Sequence, residues 1–255
     1  MDGRVSRSPM SRNDDLLWRV EMACRAAWPA AEEYESGGWQ FRFTDDATRR
    51  TGSLNPLPGA EAPDAALLAE AEAYYAERGY PAFVRLPDFL GLDDRAMLAR
   101  GYGREGPTRT LYTPLIDAET ASADIELTDR MTDDWLSART RMAGGSAQSL
   151  AATLKLITAP ACFSLSRDKG EVVSIAYGVV LDGCLVLEAV ATDPRFRGRG
   201  HARAMLAALM SRARAQGARD AALQVVAGNE PALSLYGRLG FAEDLYGYCY
   251  YRQPG

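Results

Sequence analysis

Arg195-Phe196-Arg197-Gly198-Arg199-Gly200-His201-Ala202 is the stretch whose reading decides the fold. An apolar, strand-like run from Cys184 to Thr192 precedes it, and an amphipathic helical run from His201 to about Gln216 follows. A strand that turns through glycines into a helix N-terminus forms an anion cradle. Free backbone N–H groups point out of the turn, and the helix dipole places roughly +0.5 charge there. Gly198 and Gly200 permit positive φ and lack the Cβ atoms that would hold a pyrophosphate away from the amides. Several charge-assisted bonds of about 1.5–3 kcal/mol each fix such a group without any specific side chain. Ala202, Met205, Leu206, Leu209 and Ala213 make one apolar stripe, and Gly217 is a suitable helix stop. The plainer reading of the same turn is a glycine-rich surface connection.

Working outward, 255 residues with 47% apolar content suffice for one large domain or two small ones with a substantial core. No run approaches the ~18 apolar residues needed to span a bilayer. The polar stretch Met1 to Asp15 has no apolar core of a secretory signal. Cys24, Cys162, Cys184 and Cys249 are scattered without metal spacing, so they read as thiols of a reducing, cytoplasmic setting. The single histidine, His201, argues against a His-rich metal site, and no metal is expected. Arginine far outnumbers lysine, which reads as base composition. The net charge of −5 argues against nucleic-acid binding.

The pattern predicts a flexible leader over 1–14 and then two units. The first, 15–120, holds a helix from Asp15 to Trp28 and a strand from Trp39 to Thr44. A turn at Asp45-Asp46 leads into a strand from Thr48 to Leu54. A helix from Ala65 to Glu77, a strand from Pro81 to Leu86, a short helix from Asp93 to Arg100 and a strand from Thr108 to Leu115 follow. Asp117 to Asp124 reads as a linker. The second unit, 123–255, holds helices Thr132–Met142 and Ser146–Leu156, and strands from Ile125, Ala161, Val172 and Cys184. After the glycine turn and its helix come a strand Ala221–Val226, a helix Glu230–Leu239 and a strand near Leu245–Tyr251. This mixture is α+β rather than regular βαβ alternation.

A second motif runs Asn229-Glu230-Pro231-Ala232-Leu233-Ser234-Leu235-Tyr236-Gly237-Arg238-Leu239-Gly240-Phe241, with Asn229 as N-cap, Pro231 in the first turn and Gly240 as the stop. Arg195-x-x-Gly198-x-Gly200 after a strand, followed by Asn229, Ala232, Leu235-Tyr236 and Gly240-Phe241, resembles the GCN5-related N-acetyltransferase (GNAT) superfamily. The resemblance spans about Ile125 to Tyr251. It implies a mixed, mostly antiparallel sheet with flanking helices, splayed between the Cys184–Thr192 and Ala221–Val226 strands to admit the arm of acetyl-CoA. It implies cofactor contacts from Val190, Ala191 and Thr192 on the strand, from Arg195, Arg197, Gly198, Arg199, Gly200, His201, Ala202 and Arg203 in the turn, and from Asn229. It also implies that Tyr236 is the general acid that protonates the departing thiolate.

The tyrosine suits this chemistry, since its reference pKa near 10 keeps it protonated at neutral pH; its plainer role is a half-buried helix residue. The base is less clear. Where some family members carry a glutamate this chain has Gln224, and Glu188 is left to act through a water or to be a solvated strand residue. His201 reads as a backbone donor. Gly101-Tyr102-Gly103-Arg104-Glu105-Gly106 spells a dinucleotide fingerprint but follows a helix and precedes a strand, the reverse of the required order, so it reads as a helix stop plus loop.

The first unit lacks both motifs. Its Trp39-Gln40-Phe41-Arg42 and Thr48–Leu57 segments resemble openings of bacterial tandem or extended GNAT proteins, which implies a degenerate GNAT-like α/β lobe that shapes the acceptor site or serves only to pack on the catalytic half. The expected activity is acetyl transfer from acetyl-CoA to a primary amine of a small molecule or peptide, by a monomer or homodimer without nucleic-acid or membrane partners. The alternatives are a non-catalytic acyl-CoA-binding sensor and O-acyl or longer-chain transfer.

Overall fold

The computed structural model describes residues 12–45, 48–116 and 124–255. The expected leader lies outside them up to residue 11, as do Asp46 of the expected turn and residues 117–123 of the expected linker. In chain order the elements are α1 (Arg12–Ala27), β1 (Glu32–Ser36), β2 (Trp39–Phe43), β3 (Ser53–Pro56), α2 (Ala65–Ala76), β4 (Phe83–Pro87), α3 (Arg95–Ala99) and β5 (Gly103–Pro114). There follow β6 (Ile125–Thr128), α4 (Asp133–Ala143), α5 (Ala147–Lys155), β7 (Ala161–Asp168), β8 (Glu171–Leu181), β9 (Cys184–Thr192), α6 (His201–Ala215), β10 (Asp220–Val226), α7 (Glu230–Gly237) and β11 (Glu243–Arg252).

Local chemistry accounts for most of these boundaries. Asp64, Thr132 and Ser146 cap α2, α4 and α5 by accepting from the amides of Leu67, Trp135 and Ser149. Pro29 follows the end of α1. Gly101, at φ +81°, ends α3, whose Met97 carbonyl accepts from Tyr102 N–H at 3.1 Å. The expected loop after that stop is instead the start of β5.

Two strands differ from the sequence expectation. β1 is absent from it because Glu-Glu-Tyr-Glu-Ser has no apolar alternation; it is an edge strand, nearly all exposed, paired to β2 across Gly37 and Gly38. The partner of β2 on its other side is Ser53–Pro56, later than the expected Thr48–Leu54, with Trp39 opposite Pro56 and Arg42 opposite Ser53. Residues 48–52 form a turn that presents Arg50.

All eleven strands of the described residues join one mixed, mostly antiparallel sheet, in the order β1-β2-β3-β4-β11-β5-β10-β9-β8-β7-β6. The order interlocks the two parts of the chain. β5, from before the 117–123 junction, lies between β10 and β11, and β11, the last strand, lies between β4 and β5. α1 packs on β8, β9 and β10 rather than on the strands nearest it in sequence, with Val20, Ala23, Cys24 and Ala27 against Tyr177, Cys184, Val186 and Ala222. Arg19 of α1 clamps Asp220 of β10 with two hydrogen bonds of 3.0 and 2.7 Å.

The other face of β9 and β10 is covered by α6, whose Met205, Leu206 and Leu209 bury against Leu185, Leu187, Leu223 and Val225. Each such side chain contributes about 1.5–3 kcal/mol on burial. A third apolar cluster holds α2 against β2, β3 and β4 and takes in Tyr251 of β11. No helix of the described residues is long and apolar enough to cross a membrane.

Candidate active site

β9 and β10 run parallel and pair from Asp220–Cys184 to Leu223–Leu187, then part. Beyond that point Glu188–Thr192 has no partner on the β10 side, which produces the splay. A second irregularity sits at the same place. Ile175 of β8 opposes Ala191 and Tyr177 opposes Glu188, so Ala189 and Val190 together face Ala176 as a bulge. Ala189 takes φ +52°, a left-handed conformation for a residue with a Cβ. The bulge turns backbone groups of Ala189 and Val190 out of the ladder at the mouth of the splay. No glycine marks the position, so the sequence carried no sign of it. Val190, Ala191 and Thr192 are half-buried. The Ala191 carbonyl accepts from Ser174 Oγ at 2.9 Å, and the same hydroxyl lies 2.9 Å from Thr192 Oγ1.

The glycine turn follows β9 as a short helical turn at Pro194–Phe196. Gly198 and Gly200 stand at φ +74° and +87°, and a Cβ on either would meet nothing within 4 Å. Gly200 caps α6 without a side-chain bond, and the first amide to find a carbonyl is Ala204, bonded to Gly200 at 3.0 Å. The amides of residues 198–203 therefore have no acceptor among the described residues, at a helix N-terminus in front of open space. This fits an anion with several oxygens.

The arginines around the turn do different work. Arg195 is committed to the protein: Asp193 accepts from its backbone amide at 3.0 Å and from its guanidinium, which also meets Glu171. These bonds hold Asp193 low, near pKa 2. Arg199 lies 3.7 Å from Asp168 and over the Phe196 ring, and Arg197 reaches only its own Thr192 carbonyl at 3.4 Å. Arg197, Arg199 and Arg203 are exposed and form a cationic rim. His201 Nδ1 is 3.2 Å from Ser166 Oγ, and its amide lies in the cradle. A wider pocket of about 770 Å³ opens beside Gln216, some 22 Å along α6 from the cradle by helix rise.

Asn229 caps α7 by accepting from Ala232 N–H at 3.3 Å, with its amide nitrogen left over. Tyr236 is 7% exposed and its hydroxyl has no hydrogen-bond partner among the described residues. Burial pushes its pKa well up, and the charge of Glu188 adds to the rise. Gly240, at φ +93°, lets Phe241 N–H return to the Tyr236 carbonyl at 3.1 Å and fixes the end of the helix.

Glu188 is not a solvated strand residue. It is 6% exposed and faces α1, where Arg50 grips it: Nη1 to Oε2 is 2.7 Å, and Nη2 meets Oε1 as well. The Arg50 guanidinium in turn lies 5.1 Å from the Trp28 ring centroid. Gln224, opposite Glu188 across the splay, accepts from the Tyr248 hydroxyl at 3.1 Å. Beside them Glu21 is fully buried between Arg25, Arg85 and Tyr246. Burial by itself would raise its pKa, yet the Arg85 and Arg25 charges and the bonds from Arg85 and Tyr246 hold it well below the carboxylate range. Arg50, Arg25 and Arg85 went unnoticed as site residues because an arginine-rich composition gives no local sign of which guanidinium is buried. The described residues contain no group of three or more His, Cys, Asp or Glu able to hold a metal ion.

Comparison with known proteins agrees with this geometry. Residues 17–249 match the family model described as "Probable histone acetyltransferase Rv0428c C-terminal". A Bacillus subtilis protein named as the uncharacterized N-acetyltransferase YobR is 24% identical over 239 residues, 89% of this chain and 95% of the relative. A GCN5-related N-acetyltransferase from Kribbella flavida superposes with a TM-score of 0.67 at 17% identity, covering 96% of this chain and 97% of that one. A tandem GNAT protein from the clavulanic acid biosynthesis pathway superposes at 0.60 with 13% identity, covering 92% and 88%.

Proposed function

This chain belongs to the Rv0428c C-terminal family of GNAT N-acetyltransferases, and from that premise we propose that it moves an acetyl group from acetyl-CoA to a primary amine of a small molecule or peptide by direct transfer. The observation that carries the reading is the coincidence at one place of the splay, the bulge and the open amides of residues 198–203. Those amides, with Gly198 and Gly200 offering no Cβ and Arg197, Arg199 and Arg203 around them, would hold the pyrophosphate of acetyl-CoA. The Val190–Thr192 backbone and Asn229 would hold its arm. Bound there, acetyl-CoA supplies an activated thioester carbonyl.

The chain's own groups then move protons. The amine nitrogen bonds to the carbonyl carbon, the carbon–sulfur bond breaks, and the thiolate takes the Tyr236 hydroxyl proton. Burial keeps Tyr236 protonated throughout the neutral range, and the same dry surroundings raise the basicity of the leaving thiolate, so the two stay matched. Glu188 takes the amine's proton through a water. A carboxylate offers about four acceptor positions and Arg50 uses two. Arg50 thus anchors the base.

The test is thiol release from acetyl-CoA across an amine panel with the wild type and Tyr236→Phe. The expected result is turnover that falls about 10²-fold in the variant while acetyl-CoA binding stays nearly unchanged. Binding without release on every amine would instead make the chain an acyl-CoA sensor, and unchanged turnover in the variant would remove Tyr236 from the mechanism.

A further inference from the structure

We infer that the small, partly open cavity beside the splay binds the carboxylate of the acceptor, so that the acceptor amine belongs to the amino-acid class. This rests on the acetyl-transfer reading above. The cavity measures about 20 Å³ against the ~10–15 Å³ that one water needs, so it admits at most the carboxylate end of a guest. It lies where α1 and the turn after β2 meet β10 and β11. Both lips of the splay adjoin it: Gln224 lines it, and so does Arg50, the partner of Glu188.

Its walls are built for an acceptor-only guest. Six buried side-chain polar atoms among the described residues lack a partner within the chain, and four of them belong to residues lining this one cavity. They are Arg25 Nη1, Trp28 Nε1, Gln224 Nε2 and the Tyr250 hydroxyl. The first three can only donate, and the fourth can donate. Arg25 and Tyr250 are 7% and 3% exposed, so solvent does not serve them at the surface. Unmade buried donors are costly, and four of them on the residues lining one cavity equal in number the lone pairs of two carboxylate oxygens.

The charge agrees. Arg50 is closed by Glu188 and Arg42 by Glu33. The remaining buried set is Arg25 and Arg85 against Glu21 alone, with side-chain exposures of 7%, 5% and 0%. Two guanidinium groups against one carboxylate leave a single positive charge, which a monoanion neutralises and a neutral guest does not. An α-amino acid held by its carboxylate carries its amine two bonds from the carboxyl carbon, and Gln224 of the splay lines the same cavity. Arg25 and Trp28 come from the first part of the chain, and Gln224 and Tyr250 from the second, so acceptor recognition needs both.

The test measures thiol release by the full-length protein with the proteinogenic L-amino acids, their amides and their decarboxylated amines. The expected result is a preference of at least about 10²-fold in kcat/KM for the free acids. Tyr250→Phe removes one donor and no charge and is expected to raise the amino-acid KM about tenfold while the acetyl-CoA KM and the melting temperature hold; Trp28→Phe, which also shortens the ring against Arg50 and Tyr177, is expected to raise it as much with a melting temperature a few degrees lower. Equal turnover of acids and amides overturns the carboxylate site and leaves acetyl transfer standing. Unchanged amino-acid KM in both variants overturns it too, the cavity then holding water only. Release with no amine at all removes the acetyl-transfer reading instead. Calorimetric titration of the same amino acids then decides the site separately, since binding weakened by Tyr250→Phe supports it and no binding overturns it.

Discussion

Arg50 and Glu188, 138 residues apart, are joined by two hydrogen bonds that cross from the turn after β2 to the strand at the splay. The one carboxylate on the β9 lip of the proposed site is therefore held by a side chain from the part of the molecule that carries neither cofactor motif.

If Glu188 relays the amine's proton, Glu188→Gln should slow turnover about 10²-fold at neutral pH. The deficit should shrink as the pH rises toward 9–10, where amines increasingly lose the proton without help. The accompanying loss of stability should stay near 1–2 kcal/mol, because Arg50 is 28% exposed and partly solvated. A rate deficit that is constant across the pH profile would assign Glu188 to anchoring alone.

Gly198→Ala and Gly200→Ala test the cradle. Each places a Cβ on a left-handed residue, costing about 1–2 kcal/mol, and each Cβ projects into space the protein leaves open. Both variants should fold, melt a few degrees lower, and bind acetyl-CoA at least about tenfold more weakly by calorimetry. Full affinity in both would separate the turn from cofactor binding.

Glu21 makes stability depend on pH with a definite sign. Its folded pKa lies far below the unfolded value near 4.3, so its contribution is present above about pH 4 and is lost as pH falls further. Chemical denaturation should show this as a steeper acid loss in the wild type than in Glu21→Gln. At neutral pH that substitution leaves Arg25 and Arg85 buried without their anion and should cost about 3–5 kcal/mol, a fall in Tm on the order of 10 °C. A Tm within 2 °C of the wild type would contradict the account.

The strand order bears on whether the second part of the chain can stand alone. A fragment of residues 123–255 lacks β5, which pairs with both β10 and β11, and lacks α1, which covers Cys184, Val186 and Ala222. It should show no cooperative thermal transition and no acetyl-CoA binding, and supplying residues 1–122 as a separate chain should restore both. A folded, cofactor-binding fragment would refute the interlock.

What the amino-acid sequence determined by itself is what depends on near neighbours. The glycines of the turn, the Asn229 cap, the Gly240 stop and the apolar stripe of α6 each act within a few residues, so the glycine turn, the helices around it and the superfamily were legible in the sequence. β1 was not, because a solvent-facing edge strand needs no apolar alternation. Nor was the bulge at Ala189, since no glycine announced its left-handed backbone. The tertiary structure alone decided that β5 and β11 change places in the sheet, because an alternating strand pairs equally well with any antiparallel neighbour. It alone decided that Arg50 meets Glu188 and that Arg25, Trp28, Gln224 and Tyr250 converge on one cavity. A guanidinium carries no local mark of the carboxylate it will meet, and such pairings are set by which elements the folded core brings within 3 Å.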